Sequence, residues 1–317
     1  MKICIVGPGI MPIPPTGWGA VEILIDDYRN TLEKLGHEVI IVNVPNPDDI
    51  IRQVNNCDPE FVHIQYDDFI QIVPHLKCDH VAITSHYGYI EKTDRWGGYA
   101  NIFRNFVVSD VNIFCLSPKI LEVYKQAGVP ESRLFLVPNG VRLDLFRYSD
   151  VCDYPDRSIY LAKIDYRKRQ HAVQHIENLY FAGECHDNRF NIYSDRYLGS
   201  WSKAKLYQDL TKYANLVLLS DGEAHPLVCM EAMAAGLGLV ITEEASANLD
   251  TSLEFISVIK ESDIDNAEKI NSIIKQNREY SVLNRAKIIE YVNSKFDWTS
   301  IVENYYLPSV YRAIDNE

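Results

Sequence analysis

Residues 216–242 read LVLLSDGEAHPLVCMEAMAAGLGLVIT and determine the fold predicted for the C-terminal half of the chain. The apolar run Leu216–Leu219 predicts a buried strand that stops at a Ser-Asp-Gly turn, and Pro226 stands where a helix would start. Glu223 then lies in the loop, and Glu231 about one turn into the helix. In open α/β sheets, ligands bind at this carboxyl edge of the strands. Because ionised carboxylates only accept hydrogen bonds, the pair predicts a site for hydroxyl-rich molecules such as sugars.

Short apolar runs alternate with helical patterns along the whole chain, which predicts βαβ units and parallel sheets. In the first half the predicted strands are Ile3–Val6, Val39–Val42, Phe61–Ile64, Val81–Thr84, Asn112–Leu116 and Leu134–Val137. In the second half they are Ile159–Ala162, Leu179–Phe181, Leu216–Leu219, Leu239–Thr242 and Phe255–Val258. The segment 148–158 has turn residues and no periodicity, so we expect a linker there, and the tail beyond Asp263 has a helical pattern.

Composition and charge are typical of a globular protein with two domains. The chain has 317 residues, of which 47% are hydrophobic and 24% charged. A net charge of −13 argues against a nucleic-acid-binding surface and against tight docking on anionic lipid. Seven scattered cysteines predict reduced thiols in a cytoplasmic protein and not a disulfide framework or a zinc site. We expect no signal peptide and no membrane-spanning segment.

Glycines and cations follow predicted strands in both halves, where a phosphorylated ligand would bind. Gly17 and Gly19 precede the first helix, where backbone N–H groups and the helix dipole favour an anion, although an ordinary glycine-rich loop is an equal alternative. Pro12 occupies the third glycine position of a nicotinamide-type GxGxxG motif, which argues strongly against that motif. Lys163 follows a strand, and Lys168 belongs to the charge run DYRKR, a pattern that alone more often marks a solvated helix face.

Other polar motifs are open to two interpretations. His86 follows the strand Val81–Thr84 and is a candidate for a ligand contact, although a single histidine is more often structural; His63, inside a strand, is a weaker candidate. Residues 137–141 read VPNGV and contain an Asn-Gly turn. Residues 263–265 read DID and have the form of a DxD metal motif, but Asp commonly caps a helix, so we favour a cap.

Together these motifs resemble the retaining glycosyltransferases of family 4, which have the GT-B architecture. Glu223 and Glu231 are similar to the E-x7-E signature of the family, and residues 137–146 are similar to its PNGVDxxxF motif. Further similarities are the glycine loop with Glu22, the strand Phe61–Gln65 with the form DvvHxH/Q, His86, and Phe296-Asp297-Trp298 before a tyrosine-rich helix. The resemblance covers nearly the whole chain.

The resemblance implies an α/β fold of two doubly wound Rossmann-like domains facing each other across a cleft. The N-terminal acceptor domain would span 1–150 and the C-terminal nucleotide-sugar donor domain 151–295. A C-terminal helix, 296–317, would cross back onto the first domain.

The resemblance also implies roles for individual residues. Glu231 would accept hydrogen bonds from the ribose of the nucleotide. Glu223 would hold the transferred sugar, which His86 would also contact. Lys163 and Lys168 would neutralise the diphosphate. The implied donor-binding set is Gly17, Gly19, Lys163, Lys168, His225, Pro226, Leu227 and Glu231, and the implied catalytic set is Glu223, His86 and Lys168.

The chain departs from the family pattern within GRxxxxKG. Lys163 stands where the family usually has Arg, which keeps the charge but loses the forked donor geometry. Arg169 stands where the motif has its second glycine. The chain is also short for the family, which implies trimmed acceptor loops.

The implied activity is a metal-independent, retaining transfer of a hexose to a hydroxyl of a glycan or lipid-linked acceptor, as in polysaccharide biosynthesis. The donor would be a UDP- or GDP-sugar, with UDP slightly favoured, and we expect no cofactor beyond this co-substrate. We expect no nucleic-acid partner, at most weak membrane association and a cytoplasmic location. Two alternatives stay open: a nucleotide-sugar 2-epimerase of GT-B fold, and a non-catalytic homologue that binds a nucleotide sugar or glycan.

Overall fold

The computed structural model describes residues 1–16, 19–90, 92 and 97–315. Two compact units are present, Met1–Gly140 together with Trp298–Glu317, and Val141–Asp297. The division precedes the expected boundary at residue 150 because the intervening residues pack on the second unit. The N–H of Arg147 donates to the Tyr207 carbonyl at 2.8 Å, and the ring centroids of Phe146 and Tyr207 lie 5.0 Å apart.

A six-stranded, wholly parallel sheet forms the centre of the first unit. Its strands are Lys2–Val6 (β1), Glu38–Val42 (β2), Phe61–Ile64 (β3), Val81–Ser85 (β4), Asn112–Cys115 (β5) and Leu134–Leu136 (β6), in the order β2-β1-β3-β4-β5-β6. In register, Ile3 of β1 lies opposite Val39 and Phe61. The central strands are buried along their whole length, as in sheets covered on both faces.

In the described residues, four of the five connections between these strands contain an α-helix: Ala20–Lys34 (α1), Pro47–Cys57 (α2), Gly97–Val108 (α3) and Pro118–Gln126 (α4). The connection from β3 to β4 contains the 3-10 helix Asp67–His75. The helix α1 buries Leu24, Tyr28 and Leu32 at helical spacing, which is the apolar face expected from the sequence. The helix α2 starts at Pro47, and the Asn46 side chain accepts hydrogen bonds from the first free N–H groups.

The second unit contains a five-stranded parallel sheet. Its strands are Tyr154–Leu161 (β7), Leu179–Ala182 (β8), Tyr213–Leu218 (β9), Gly238–Thr242 (β10) and Ile256–Ile259 (β11), in the order β11-β10-β9-β7-β8. The predicted linker 148–158 is wrong in its second part, since β7 begins at Tyr154, opposite Tyr213 of β9. Pro155 and Asp156 are exposed, and this pair of residue types is typical of a turn.

The helices of the second unit are Gln170–Val173 (α5), Lys203–Asp209 (α6), Leu227–Ala234 (α7), Ala267–Leu283 (α8) and Arg285–Phe296 (α9). The helix α7 follows Pro226, its N-cap, as the sequence predicts. The expected cap at Asp263 is wrong: the Asn266 side chain caps α8 by accepting the Lys269 N–H at 3.0 Å. Asp263 instead accepts from Lys269 Nζ at 2.8 Å.

The chain returns to the first unit at Trp298. This segment consists of Trp298–Ile301 (α10), a π-helical stretch Val302–Tyr306, and Leu307–Asp315 (α11). Trp298 Nε1 donates to Asp27 Oδ2 at 3.1 Å. The indole lies against Gly140, where an added Cβ would come within 2.6 Å of it. The Asn-Gly turn therefore also serves as a packing surface for Trp298.

The seven cysteines are free thiols, and four of them are buried. Within the part of the chain that the structure describes, no helix is long and apolar enough to span a bilayer.

Candidate functional site

The strand order of the second unit creates a topological switch point between β7 and β9. The chain continues from β7 to one side of the sheet, into β8, and from β9 to the other side, into β10. The loops after these two strands carry residues 163–169 and 219–226. Ligands of doubly wound sheets bind in the crevice that forms at such a point.

An ion pair between Lys168 and Glu223 joins the two loops. Lys168 Nζ donates to Glu223 Oε1, and Nη1 of Arg167 lies 3.7 Å from the same oxygen. The side chains of Lys168 and Glu223 are only 11% and 14% exposed. Arg167 also donates to the Gly222 carbonyl at 2.9 Å. The structure thus brings together two predicted residues and adds Arg167, which the sequence did not distinguish from its charged neighbours.

A buried tyrosine connects the backbones of the same loops. The hydroxyl of Tyr160 donates to the Lys168 carbonyl and accepts the Leu219 N–H at 2.7 Å. Burial raises the pKa of Tyr160 far above its usual value, so the phenol stays neutral and can donate one hydrogen bond while it accepts another. Sequence reasoning missed Tyr160 because it lies in an apolar strand. The only signal was a hydroxyl-bearing residue within that buried run.

Glu231 has its own lysine partner. It lies on α7 and is 8% exposed, and Lys203 Nζ donates to its Oε1 at 3.2 Å. Lys203 is the first residue of α6, a helix whose N-cap is Ser202. The sequence gives no indication of this pair because the two residues belong to different helices. Each carboxylate of the predicted pair is therefore held by a separate lysine.

The remaining donor-side candidates lie outside these ion pairs. Lys163 is exposed just beyond β7, and among the described residues its side chain has no ion-pair partner. His225 is buried, and burial lowers its pKa to about 3, so the ring is neutral. Pro226 and Leu227 open α7, and no side chain in the described part of the chain caps its first turn. The first N–H groups of a helix without a capping side chain are left for solvent or a ligand.

Arg169, at the second glycine position of the family motif, has a backbone conformation that favours glycine. Its φ of 58° lies in the left-handed region, which costs a residue with a side chain about 1–2 kcal/mol. Arg169 Nη2 lies 3.1 Å from Asp221 Oδ1, and the guanidinium donates twice to Glu261, at 2.8 and 3.0 Å. These ion pairs fix the side chain of Arg169 at a position whose backbone favours glycine. The pair with Asp221 also connects the loop 163–169 to the loop that carries Glu223.

Two substitutions at this position separate backbone strain from charge. Arg169→Ala and Arg169→Gly both remove the guanidinium, but only alanine keeps the left-handed strain. We therefore expect Arg169→Ala to be about 1 kcal/mol less stable than Arg169→Gly in urea denaturation. Equal stability of the two variants would contradict a left-handed residue 169.

In the first unit, the glycine-rich loop after β1 is held by side chains of the unit itself. The Gly9 N–H donates to Asn43 Oδ1 at 2.8 Å, and Asn43 Nδ2 donates to the Met11 carbonyl at 2.8 Å. At Gly19 an added Cβ would come within 2.5 Å of Oε2 of the buried Glu22, so a side chain there would displace the end of this carboxylate. The other predicted glycine, Gly17, lies outside the described residues.

His86 lies at the end of a hydrogen-bonded chain of four side chains. Its Nε2 is 2.7 Å from Gln65 Oε1, and Gln65 Nε2 is 3.3 Å from His63 Nδ1. His63 Nε2 is in turn 2.7 Å from Thr84 Oγ1. Burial lowers the pKa of His86 to about 4 and that of His63 to about 3, so both rings are neutral at pH 7. His63, the weaker candidate by sequence, thus belongs to the surroundings of His86.

A buried carboxyl group fixes the backbone of His86. Asp67 is 2% exposed, and its Oδ2 accepts the His86 N–H at 3.0 Å. Burial raises the pKa of Asp67 to about 7. Among the described residues, no group of three or more His, Cys, Asp and Glu side chains is arranged to hold a metal ion.

Comparison with known proteins identifies the fold. No protein-family model and no curated protein sequence matches the chain. Sucrose-phosphate synthase from Thermosynechococcus elongatus superposes with a TM-score of 0.77 at 16% identity, over 100% of this chain and 99% of that one. AviGT4, a glycosyltransferase involved in avilamycin A biosynthesis, superposes with a TM-score of 0.74 at 14% identity, over 100% of this chain and 99% of that one. Alr3699/HepE from Anabaena, solved with UDP-glucose, superposes with a TM-score of 0.72 at 13% identity, over the full length of both chains.

These similarities define the architecture. The chain has the GT-B fold, with two parallel-sheet α/β domains like those of the solved glycosyltransferases. The prediction of two doubly wound domains of this class is therefore confirmed.

Proposed function

We propose that this protein is a retaining, metal-independent glycosyltransferase that moves a hexose from a nucleotide-diphosphate sugar to a hydroxyl of a glycan or lipid-linked acceptor. The observation that carries the proposal is the Glu223–Lys168 ion pair at the switch point of the second sheet, with Glu231 on the helix that follows. The GT-B fold supports it. Alr3699/HepE, which shares this fold, was solved with UDP-glucose, and this favours a UDP-sugar as the donor.

Lys168 and Arg167 are the groups suited to stabilise the departing diphosphate. An ammonium group has three N–H donors, and Glu223 occupies one of those of Lys168, so two remain for phosphate oxygens. Fixed donors aimed at developing negative charge each typically contribute ~3–4 kcal/mol to catalysis. Exposed Lys163 adds a further cation at the same strand end. With these cations in place, the reaction needs no metal ion to neutralise the leaving group.

The two glutamates bind different hydroxyl groups in this proposal. Glu223, in the loop beside Lys168, holds the sugar that is transferred. Glu231, oriented by Lys203 at 3.2 Å, accepts hydrogen bonds from the ribose. We also propose that residues 1–150 bind the acceptor and that the protein works in the cytoplasm with at most weak membrane association.

Thermal-shift measurements with UDP, UDP-glucose, GDP and GDP-mannose test the proposal. A ligand at about 100 times its dissociation constant adds ~2.7 kcal/mol to the free energy of unfolding, so one nucleotide should raise the melting temperature clearly. Glu231→Gln should weaken binding of that nucleotide about 10-fold, because a charged hydrogen bond becomes a neutral one. Glu290→Gln, an exposed change on α9, should bind like the wild type.

The same samples distinguish the alternatives. Incubation with UDP-GlcNAc and no acceptor would yield the 2-epimer if the protein were an epimerase. Binding without transfer or hydrolysis would identify a non-catalytic homologue. Failure of all four nucleotides to shift the melting temperature would overturn the proposed function.

A further inference from the structure

We propose that Tyr160 is a positioning residue for the reaction, whose hydroxyl holds the Lys168 loop (residues 163–169) and the Glu223 loop (residues 219–226) in one fixed arrangement. The arrangement of the two loops rests on contacts within the second unit. The consequence for catalysis rests on the proposed function, in which Lys168 meets the diphosphate and Glu223 holds the transferred sugar. Tyr160 acts only through these two residues.

The hydroxyl of Tyr160 forms the most deeply buried link between the two loops. It donates to the carbonyl of Lys168 and accepts the N–H of Leu219 at 2.7 Å, so one oxygen serves a backbone group of each loop. Tyr160 is 0% exposed, and its ring stacks on that of Phe181 with the centroids 5.9 Å apart. Because the ring is packed within the sheet, the position of the oxygen is fixed and both loops are referred to it.

The backbone of Lys168 is held on both sides. Its N–H donates to Asp165 Oδ1 at 2.9 Å and lies 3.1 Å from the carbonyl oxygen of the same residue. Its carbonyl accepts from Tyr160. With both backbone groups held, the side chain donates to Glu223 Oε1 from a fixed origin. Tyr160 therefore helps to set where the ammonium of Lys168 lies relative to Glu223.

Other contacts between the loops lie closer to solvent. The Asp221 N–H donates to the Arg167 carbonyl at 3.0 Å, and Arg167 Nη1 donates to the Gly222 carbonyl at 2.9 Å. The side chains of Arg167 and Asp221 are 24% and 16% exposed. Water can replace contacts of this kind, whereas a buried N–H or carbonyl that loses its partner carries the full desolvation penalty. Loss of the Tyr160 hydroxyl therefore weakens the junction where water has least access.

Amide hydrogen exchange followed by NMR tests the junction in Tyr160→Phe, which removes only the hydroxyl. The N–H of Asp221 is the reporter, because it is bonded to Arg167 and not to Tyr160. We expect it to exchange about 10-fold faster in Tyr160→Phe than in the wild type. Faster exchange confined to Leu219, which loses its acceptor directly, would overturn the positioning role. An Asp221 amide that is unprotected in the wild type would overturn it as well, without the need for a variant.

Tyr291→Phe is the matched control for this substitution. The hydroxyl of Tyr291 also accepts a backbone N–H, that of Asp250 at 2.9 Å, and Tyr291 lies on α9 in the same unit. Its loss should leave both the exchange of the Asp221 amide and the rate of sugar transfer at their wild-type values. Equal acceleration of Asp221 in Tyr291→Phe would show a general loosening of the unit and would refute a specific role for Tyr160.

Steady-state kinetics with the donor found by thermal shift test the consequence for catalysis. We expect Tyr160→Phe to lower kcat about 10-fold and to change the donor KM by less than about twofold, because a misplaced cation fails chiefly at the charge that develops as the diphosphate departs. A variant that is only less stable keeps its kcat at a temperature where circular dichroism shows it to be folded. An unchanged kcat in the folded variant would therefore contradict the role of Tyr160.

A double-mutant cycle with Lys168→Met shows whether Tyr160 acts through Lys168. We expect Tyr160→Phe to lower the kcat of Lys168→Met by less than about twofold, since the group that the hydroxyl positions is already absent. Equal losses in the wild-type and Lys168→Met backgrounds would mean that the two residues act independently, and this result would overturn the positioning role.

Failure of the proposed function would look different from failure of the positioning role. Absence of both nucleotide-sugar binding and transfer would overturn the proposed function, while faster exchange of Asp221 in Tyr160→Phe would still show the junction. Transfer at the wild-type kcat by the folded Tyr160→Phe protein would overturn the positioning role and leave the proposed function standing.

Discussion

Replacement of Glu223 by glutamine is expected to lower the rate of sugar transfer by about 100- to 1000-fold while the protein stays folded. The carboxylate accepts from Lys168 and lies 3.7 Å from Arg167, so it orients the cations proposed to meet the diphosphate. Glutamine has nearly the same shape but no charge, so it loses both this orientation and a strong acceptor for the sugar. The measurement is the steady-state rate with the donor found by thermal shift.

Glu290→Gln is the matched control for this experiment, since it removes the same charge from an exposed position on α9. Its transfer rate should equal that of the wild type. Circular dichroism and thermal melting of Glu223→Gln would verify that the fold is retained. Transfer by Glu223→Gln within threefold of the wild-type rate would eliminate the assigned role of this glutamate.

The second large effect concerns stability. Arg285 is 2% exposed and donates to four backbone carbonyls, those of Ser149, Thr211, Tyr213 and Ala235, as well as to Thr211 Oγ1. Its bond to Ala235 caps the end of α7, where Gly236 has a φ of +83°. One guanidinium thus ties together the segment before β7, the start of β9 and the end of the helix that carries Glu231.

Arg285→Met is expected to lower the free energy of unfolding by about 4 kcal/mol, because buried carbonyls that lose their donors each cost about 1–3 kcal/mol. Urea denaturation followed by circular dichroism measures the change. Lys287→Met, an exposed cation on the same helix, is the control and should stay within about 0.5 kcal/mol of the wild type. A similarly small effect for Arg285→Met would mean that the buried carbonyls find other partners.

Local sequence was sufficient to predict that each strand exists and where the first turn of α7 begins. Runs such as Phe61–Ile64 are buried on both faces of a parallel sheet, and such strands have continuous apolar sequences. Pro226 predicted the start of α7 because proline is compatible with the beginning of a helix and not with its interior. The start of β7 was missed because its exposed residues are a proline and an aspartate, and such turn-forming residue types do not distinguish an exposed strand end from a loop.

The sequence by itself determined the fold class and indicated Glu223, Glu231, Lys168 and His86 as candidate site residues. These follow from apolar periodicity and from polar residues just beyond strand ends, both of which are local features. Only the tertiary structure revealed the partners, because Lys203 reaches Glu231 from another helix and Gln65 reaches His86 from the end of an adjacent strand. Likewise, the Tyr160 hydroxyl joins the Lys168 carbonyl to the N–H of Leu219, 59 residues further along the chain than the tyrosine. Burial then decided the protonation of His86, since the cost of desolvating a charge depends on the surrounding side chains and not on neighbours in sequence.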